Sequence, residues 1–537
     1  MNAIFAFAPF LLSFWFARSI KHILFWIYLW QLKQYHRGRF LDHFKTEKGK
    51  KLLFQPFQLF KIGLAVVSIV CFLFLSADYL LLLPLILFLI YFLESLLYFK
   101  RLFAKKVKNP VLAKKTVFLV VVVVLITLFY PFFIWLFAKD IFWFSFAVLL
   151  FDIFLPIIVS AIVVLFQPLA DFHRLSLQKK AKEKILTLSR KNLTIIAITG
   201  SYGKTATKEY LTTILSSKFK VLSTKEHQNT EVGIPQIILN YLKPEHNVFI
   251  VEMGAYDKGT IKRICDFVRP EIGVVTGINA QHLSLFGSME NLLSAEGGRE
   301  LLQSLPIDGL LIVNGESEYC LDLYKKADIR KIAYKLDGKL IKNIDIKKNF
   351  VSFSINDVNF KVDVLGRHNV LNLLAAILVA KELGMSLKEI AEASEKITVK
   401  SSSFKITKNK EGVYIINSTY SSNPDGVIAD LEYLKIYPGK KIIVMPCLIE
   451  LGKAAKEVHQ KIGKKIAEVC NLVIITTKEY YQDIKDSAIE NGMSSDSILL
   501  ISDANLIAGK IKSLCDKNDV VLLEGRLPKE VIKLLSE

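Results

Sequence analysis

Residues 116–137 read TVFLVVVVVLITLFYPFFIWLF, without one charged side chain. A helix needs about 20 apolar residues to cross a bilayer core. In lipid every backbone N–H and C=O must be satisfied inside the spanning structure, so a run of this kind commits its part of the chain to a membrane helix. Runs at 59–75, 79–99 and 142–166 have the same character. A fifth, at 2–16, is followed by Arg18 and Lys21 before aromatic-rich sequence continues to Trp30. Five spans are therefore expected within residues 1–170.

Charge in the connections orients them. Lysine and arginine crowd the segment from Lys33 to Lys51, the segment from Lys100 to Lys115 and the exit from Arg174 to Lys184, whereas the turns at 76–78 and 139–140 are nearly bare. Basic loops stay in the cytoplasm. The N-terminus is then expected outside, and everything after Gln167 inside, as in a multi-pass protein of the cytoplasmic membrane. The net charge of +20 reads as topology and attraction to anionic membrane lipid, not as binding of nucleic acid. No small-residue cleavage site follows the first span, so a cleaved signal peptide is not expected. The six cysteines have no CxxC spacing, which argues against a zinc ribbon or a disulfide framework. Asp152 falls well inside the fifth span. It is either a functional acid or an inward-facing, hydrogen-bonded acid that sets helix packing, and the sequence leaves both open. Glu94, nearer the cytoplasmic end, is expected to snorkel. Pro131 and Pro156 are expected to kink their helices.

Beyond residue 193 the pattern changes to short β-rich runs alternating with amphipathic helical stretches, which predicts an α/β fold with a parallel sheet. The apolar run 193–198 breaks at Gly200 and Gly203, Lys204 and Thr205 follow, and 206–215 reads as a helix. A strand, a glycine turn and a helix N-terminus converge backbone N–H groups on a phosphate; the lysine neutralises terminal phosphates and the threonine hydroxyl holds Mg²⁺. Strict Walker spacing needs glycine where this chain has Ile198, so the loop is a shortened one. Two further strands, 247–251 and 272–276, end near Glu252 and His282. Ligands in open α/β sheets gather at the carboxyl ends of strands, which brings a carboxylate and an imidazole towards the phosphate loop as candidate Mg²⁺ ligands or ligand orienters.

Several motifs in this order resemble the Mur ligases, ATP-dependent amide ligases of peptidoglycan synthesis. They are Thr199-Gly-Ser-Tyr-Gly-Lys-Thr205, Asn229-Thr-Glu-Val-Gly-Ile-Pro235, Glu252-Met-Gly254, His282-Leu283 with Phe286-Gly-Ser288, Gly366-Arg-His-Asn-Val-Leu-Asn372, Tyr420-Ser-Ser-Asn-Pro424, and Glu450-Leu-Gly452 with His459. The pattern is most similar to the members that add D-alanyl-D-alanine to a UDP-muramoyl-tripeptide. After the helical membrane domain (1–170) that the apolar spans predict, the resemblance implies a central parallel-sheet ATP-binding domain (190–397) and a C-terminal Rossmann-like α/β domain (398–537). It implies ATP contacts from Gly200, Ser201, Gly203, Lys204, Thr205, Asn229, Asn369, Asn372, Tyr420 and Asn423. It also implies Mg²⁺ near Thr205, Glu252, His282 and Glu296, with Lys204, Glu252 and His282 as the catalytic set. In that family a substrate carboxylate takes the γ-phosphate as an acyl phosphate and an amine then displaces phosphate, which requires cations around the transferring group.

The departures are as informative. Glu296 stands where the family usually carries a carbamylated lysine, and Gly277-Ile278-Asn279 inverts the family's Asn-Ile-Gly. Asn417-Ser418 replaces an acidic pair, Ser401-Ser-Ser403 lacks an arginine, and Glu524 replaces a basic residue. The five-span unit stands in place of the domain that recognises the UDP-sugar. The expected function is therefore membrane-anchored ligation of an amino acid or dipeptide amine to a carboxylate acceptor such as a lipid-linked muropeptide. The alternatives are a ligase of another membrane-associated polymer (polyglutamate type) and a catalytically altered nucleotide-binding scaffold.

Overall fold

In the computed structural model the described residues are 8–536 apart from 45, 75–81, 105–106, 139, 190–191, 226–227, 338, 399–404 and 420–422. Tyr420, Ser401-Ser-Ser403, Lys45 and the 76–78 turn thus lie outside the described residues. The chain divides into two compact units, Met1–Phe172 and His173–Glu537.

Among the described residues five helices are long and apolar enough to cross a membrane, the first four being Ala8–Leu32, Pro56–Phe74, Leu82–Phe103 and Lys114–Phe137. The fifth is Ile141–Leu165, followed directly by the helix Gln167–Ser189. The first helix runs past Arg18 and Lys21 without a break, which corrects the expected end at residue 16. The physical reason is pairing: Arg18 is buried and lies against Asp152 and, at 3.1 Å, against Glu94. Lys61 completes the cluster, 2.9 Å from Asp152 and also hydrogen-bonded to Glu94. Glu94 therefore does not snorkel; it faces the cations of two neighbouring helices. Asp152, with 0% exposure, is the inward-facing, hydrogen-bonded acid. Pro131 and Pro156 sit inside unbroken helices.

The second unit carries three sheets. β1 (Thr194–Thr199), β2 (Val221–Ser223), β3 (Val248–Glu252), β4 (Ile272–Val275), β5 (Leu310–Asn314) and β6 (Arg330–Tyr334) form a parallel sheet in the order β2-β3-β1-β4-β5-β6. Both faces are covered, so these strands read as continuous apolar runs. Ile196, Ile198, Val274 and Ile312 pack under the helices Lys204–Leu215 and Arg367–Glu382, and Ile195, Ala197, Phe249 and Val251 pack under the opposite layer. β7 (Lys342–Ile346), β8 (Val351–Ile355) and β9 (Val358–Val362) make a small antiparallel sheet.

The third sheet has the order β10-β11-β15-β12-β13-β14. Its strands are β10 (Lys405–Lys408), β11 (Tyr414–Ser418), β12 (Lys441–Met445), β13 (Leu472–Ile475), β14 (Ile498–Leu500) and β15 (Val520–Glu524). All pair in parallel except β10, which runs antiparallel to β11. The short edge strands β2, β10 and β14 had no distinct sequence signal, because edge positions lack the uninterrupted apolar run of the buried strands.

Candidate nucleotide and metal site

Immediately after β1 the chain turns on Gly200, at φ 138°, and Gly203, at φ 78°. A Cβ at Gly200 would collide with Thr276 Oγ1, and one at Gly203 would lie 2.6 Å from Asn372 Oδ1. Only glycine lets the loop pass this close to its neighbours while entering the left-handed region. Gly203 precedes the first turn of Lys204–Leu215, whose N–H groups have no partner within the helix and point into the loop. The Lys204 ammonium folds over the loop and donates to the carbonyl of Gly200, with Ser201 O at 3.4 Å.

Two acids flank the loop. Glu252, at the end of β3 and 6% exposed, accepts from Thr205 Oγ1 (3.1 Å), Lys208 Nζ (3.0 Å) and Asn229 Nδ2 (2.9 Å). Burial pushes its carboxyl up, but Lys208 and Lys204, with the Asn229 amide, hold it below the usual range. Glu296 is 2% exposed. It accepts from Ser201 Oγ at 2.9 Å, and its other oxygen lies 2.9 Å from His282 Nδ1. Burial raises this carboxyl too, and His282, Lys204 and Ser201 bring it net below the ordinary value. On the far side of the imidazole, Nε2 is 3.9 Å from Glu450. Glu252 and His282 thus do not touch; each belongs to a separate pair, and the phosphate loop runs between them.

The remaining candidates divide. Asn369 Oδ1 accepts from Tyr210 (2.9 Å) and Asn372 (3.2 Å), so both asparagines are tied to each other and to the phosphate-loop helix. Asn423 caps the helix Pro424–Leu434 by accepting from Gly426 N, and it also accepts from Asn279. Asn279 donates further to Asp425 at 2.8 Å. The inverted Gly277-Ile278-Asn279 therefore has a structural consequence: the amide at 279 joins two sheets, and the missing side chain at 277 leaves room for Tyr202. His459 is used up by the backbone, accepting from Leu448 N. Ser418 donates to Asp430 at 2.5 Å, beside the buried Glu524. Burial and the neighbouring Asp430 push Glu524 well above the carboxylate range.

Sequence reasoning missed Lys208 and Asp430. Lys208 had a signal, since it lies one helical turn beyond Lys204 on the same face. Asp430 had none, being one acid within an amphipathic helix.

Among the described residues no group of three or more His, Cys, Asp or Glu side chains converges as a metal cage.

The sequence profile described as the Mur ligase middle domain matches residues 198–380, and that of the Mur ligase, glutamate ligase domain matches 404–527. Together they take in more than half of the chain. The chain belongs to the Mur ligase family. The UDP-N-acetylmuramoyl-tripeptide–D-alanyl-D-alanine ligase of Synechocystis is 30% identical over 281 residues, 52% of this chain. This chain spans 60% of that relative's length. The protein of the same name from Bacillus subtilis is 26% identical over 378 residues, covering 69% of this chain and 81% of its own. The structure of the MurF ligase from Thermotoga maritima in complex with ADP superposes with a TM-score of 0.59 at 26% identity, covering 68% of this chain and 83% of that one. MurF from Acinetobacter baumannii shares the Mur ligase fold with a TM-score of 0.61, covering 68% and 81%. The matched domains begin after the five apolar helices.

Proposed function

We propose that this chain is a membrane-anchored, ATP-dependent amide ligase of the Mur type acting in peptidoglycan precursor synthesis. The observation that carries the reading is the shortened phosphate loop with Lys204 above it and the Thr205–Glu252 and His282–Glu296 pairs on its two sides. As in the names of its relatives, the carboxylate acceptor is a muramoyl-tripeptide and the amine is D-alanyl-D-alanine. Lys204 neutralises the terminal phosphates of ATP, and the loop N–H groups orient them. Thr205 and Glu252 on one side, with His282 and Glu296 on the other, would hold Mg²⁺. When bound, Mg²⁺ supplies positive charge to the transferring phosphoryl group. Asn229 fixes the Glu252 carboxylate, and Asn369, Asn372 and Asn423 line the approach of the nucleotide. By the family resemblance Tyr420 is a further nucleotide contact. The five apolar helices anchor the ligase domains on the cytoplasmic face.

The test is ATP turnover by the detergent-purified full chain with UDP-N-acetylmuramoyl-tripeptide and D-alanyl-D-alanine, read by mass spectrometry. ADP, phosphate and an amide-joined product are expected. The same assay with a lipid-linked muropeptide decides which carrier the acceptor uses. Absence of an amide product with either acceptor overturns the reading. Topology is tested separately: a cysteine placed at position 108 should label only from the cytoplasm, and labelling from outside would overturn the five-span orientation.

A further inference from the structure

The helix Gln167–Ser189 precedes the region matched by the Mur ligase middle domain, which starts at residue 198. From His173 onward it belongs to the same compact unit as the ligase domains. Ala181, Ile185 and Leu188 are buried in one apolar layer with Ile234, Ile237 and Ile238. Arg174 and Gln178 continue that stripe upward by whole turns. Arg174 Nη1 lies 3.1 Å from Glu231 Oε2, and Gln178 Nε2 donates to the backbone carbonyl of Glu231 at 3.2 Å. Lys184 adds a third tie, donating to Leu239 O at 3.0 Å.

Glu231 is not a remote residue. It stands two positions after Asn229, whose amide holds Glu252 at 2.9 Å and whose carbonyl accepts from Gly254 N at 2.8 Å. The Glu231 side chain is 13% exposed and is gripped from the other side by Arg263, at 2.7 and 3.3 Å. Arg263 also reaches Asp257, just beyond the Glu252-Met-Gly254 segment, at 2.9 Å. One carboxylate is thus held between two guanidinium groups, one from the ligase domain and one from the helix that leads into it. A loop is positioned by what its backbone and side chains are bonded to, and here Arg174 and Gln178 supply both kinds of bond from outside the matched family domain.

We propose that residues 173–189 are a positioning element of the nucleotide site. Arg174 and Gln178 act through Glu231 to hold the 228–232 loop so that Asn229 stays on Glu252. The inference rests on the reading of Asn229 and Glu252 as nucleotide and Mg²⁺ residues. Arg174 and Gln178 are positioning residues and touch no substrate. A ligase fragment cut at residue 190 would lose this support along with its membrane anchor.

The experiment uses the full chain in detergent, with Arg174→Gln, Gln178→Ala and the double variant. Loss of one partly exposed ion pair and one hydrogen bond should weaken Mg²⁺-ADP binding by about three- to tenfold. KM for ATP should rise more than kcat falls, and Arg174→Lys should restore part of the affinity. Amide hydrogen exchange in 228–232 should accelerate in the double variant while the core strand 248–252 stays protected. Wild-type ADP affinity together with unchanged exchange in 228–232 would overturn the proposal. Should the wild-type chain bind no Mg²⁺-ADP, the nucleotide reading fails, and the exchange measurement in the nucleotide-free protein still decides whether the helix positions the loop.

Discussion

Arg18, Lys61, Glu94 and Asp152 neutralise one another between four helices of the apolar helical unit, whereas Lys204, Lys208, Glu252, Glu296 and His282 gather around one loop. Both sets are taken from water, and both have to be compensated. In the apolar helical unit the compensation is closed: two cations meet two carboxylates, and each acid contacts both cations. At the phosphate loop it is open. Glu252 and Glu296 are satisfied by neighbours, whereas among the described residues Lys204 donates to loop carbonyls, and in the proposed function its charge is there for the phosphates. A closed cluster sets helix packing; an open one is suited to a charged ligand. Buried charge alone does not tell the two apart.

The largest expected effect lies on the open side. Lys204→Ala should lower ATP turnover by at least about a hundredfold, with thermal unfolding close to wild type, because the side chain has no core role. Turnover at the wild-type rate would remove the distinction between the two clusters. On the closed side, Asp152→Leu leaves the two buried cations Arg18 and Lys61 with only Glu94 of their two shared acids. It should cost about 3–5 kcal/mol, measured as thermal unfolding of the full chain in detergent, and Asp152→Leu combined with Lys61→Met should recover part of the loss. An unchanged unfolding temperature in the single variant would show that the cluster does not hold the bundle.

Glu296→Gln sharpens the comparison, since it removes a charge and keeps the shape. About tenfold slower turnover and a steeper requirement for Mg²⁺ are expected. Normal turnover at limiting Mg²⁺ would reduce Glu296 to a hydrogen-bond partner of Ser201 and His282. The smallest effect belongs to Glu524, whose carboxyl is pushed up by burial and by Asp430, while the His368 imidazole that faces Asp430 is itself pushed down by burial. A carboxyl raised in the folded state contributes stability that is full below its unfolded pKa and is lost as pH rises towards the folded value. Glu524→Gln should therefore unfold a few degrees above wild type at pH 8, with the gap closing by pH 5. A constant gap across that range would mean that Glu524 does not titrate against folding.

The strands at 193–198, 247–251 and 272–276 were legible because each is an unbroken apolar run bounded by turn residues. The phosphate loop was legible because its glycines and lysine are consecutive in the chain. The pairing of Glu296 with Ser201 was not, since those residues are far apart in sequence and meet only when β1 and β4 lie side by side. Glu94 was misjudged for the same reason. Its depth in the helix suggested a path to the interface, but its cations come from two other helices.

Order and composition along the chain were thus enough to determine the apolar spans, the parallel α/β character of the region beyond residue 193, the family motifs and their sequence. These are properties of short windows, where periodicity and local chemistry act. Which buried charges cancel, which face a ligand, and which helix steadies the Asn229 loop were decided only by the tertiary structure. Electrostatic compensation depends on distance in space, and the partners of Asp152, Glu252, Glu296 and Glu231 all lie on other elements of the fold.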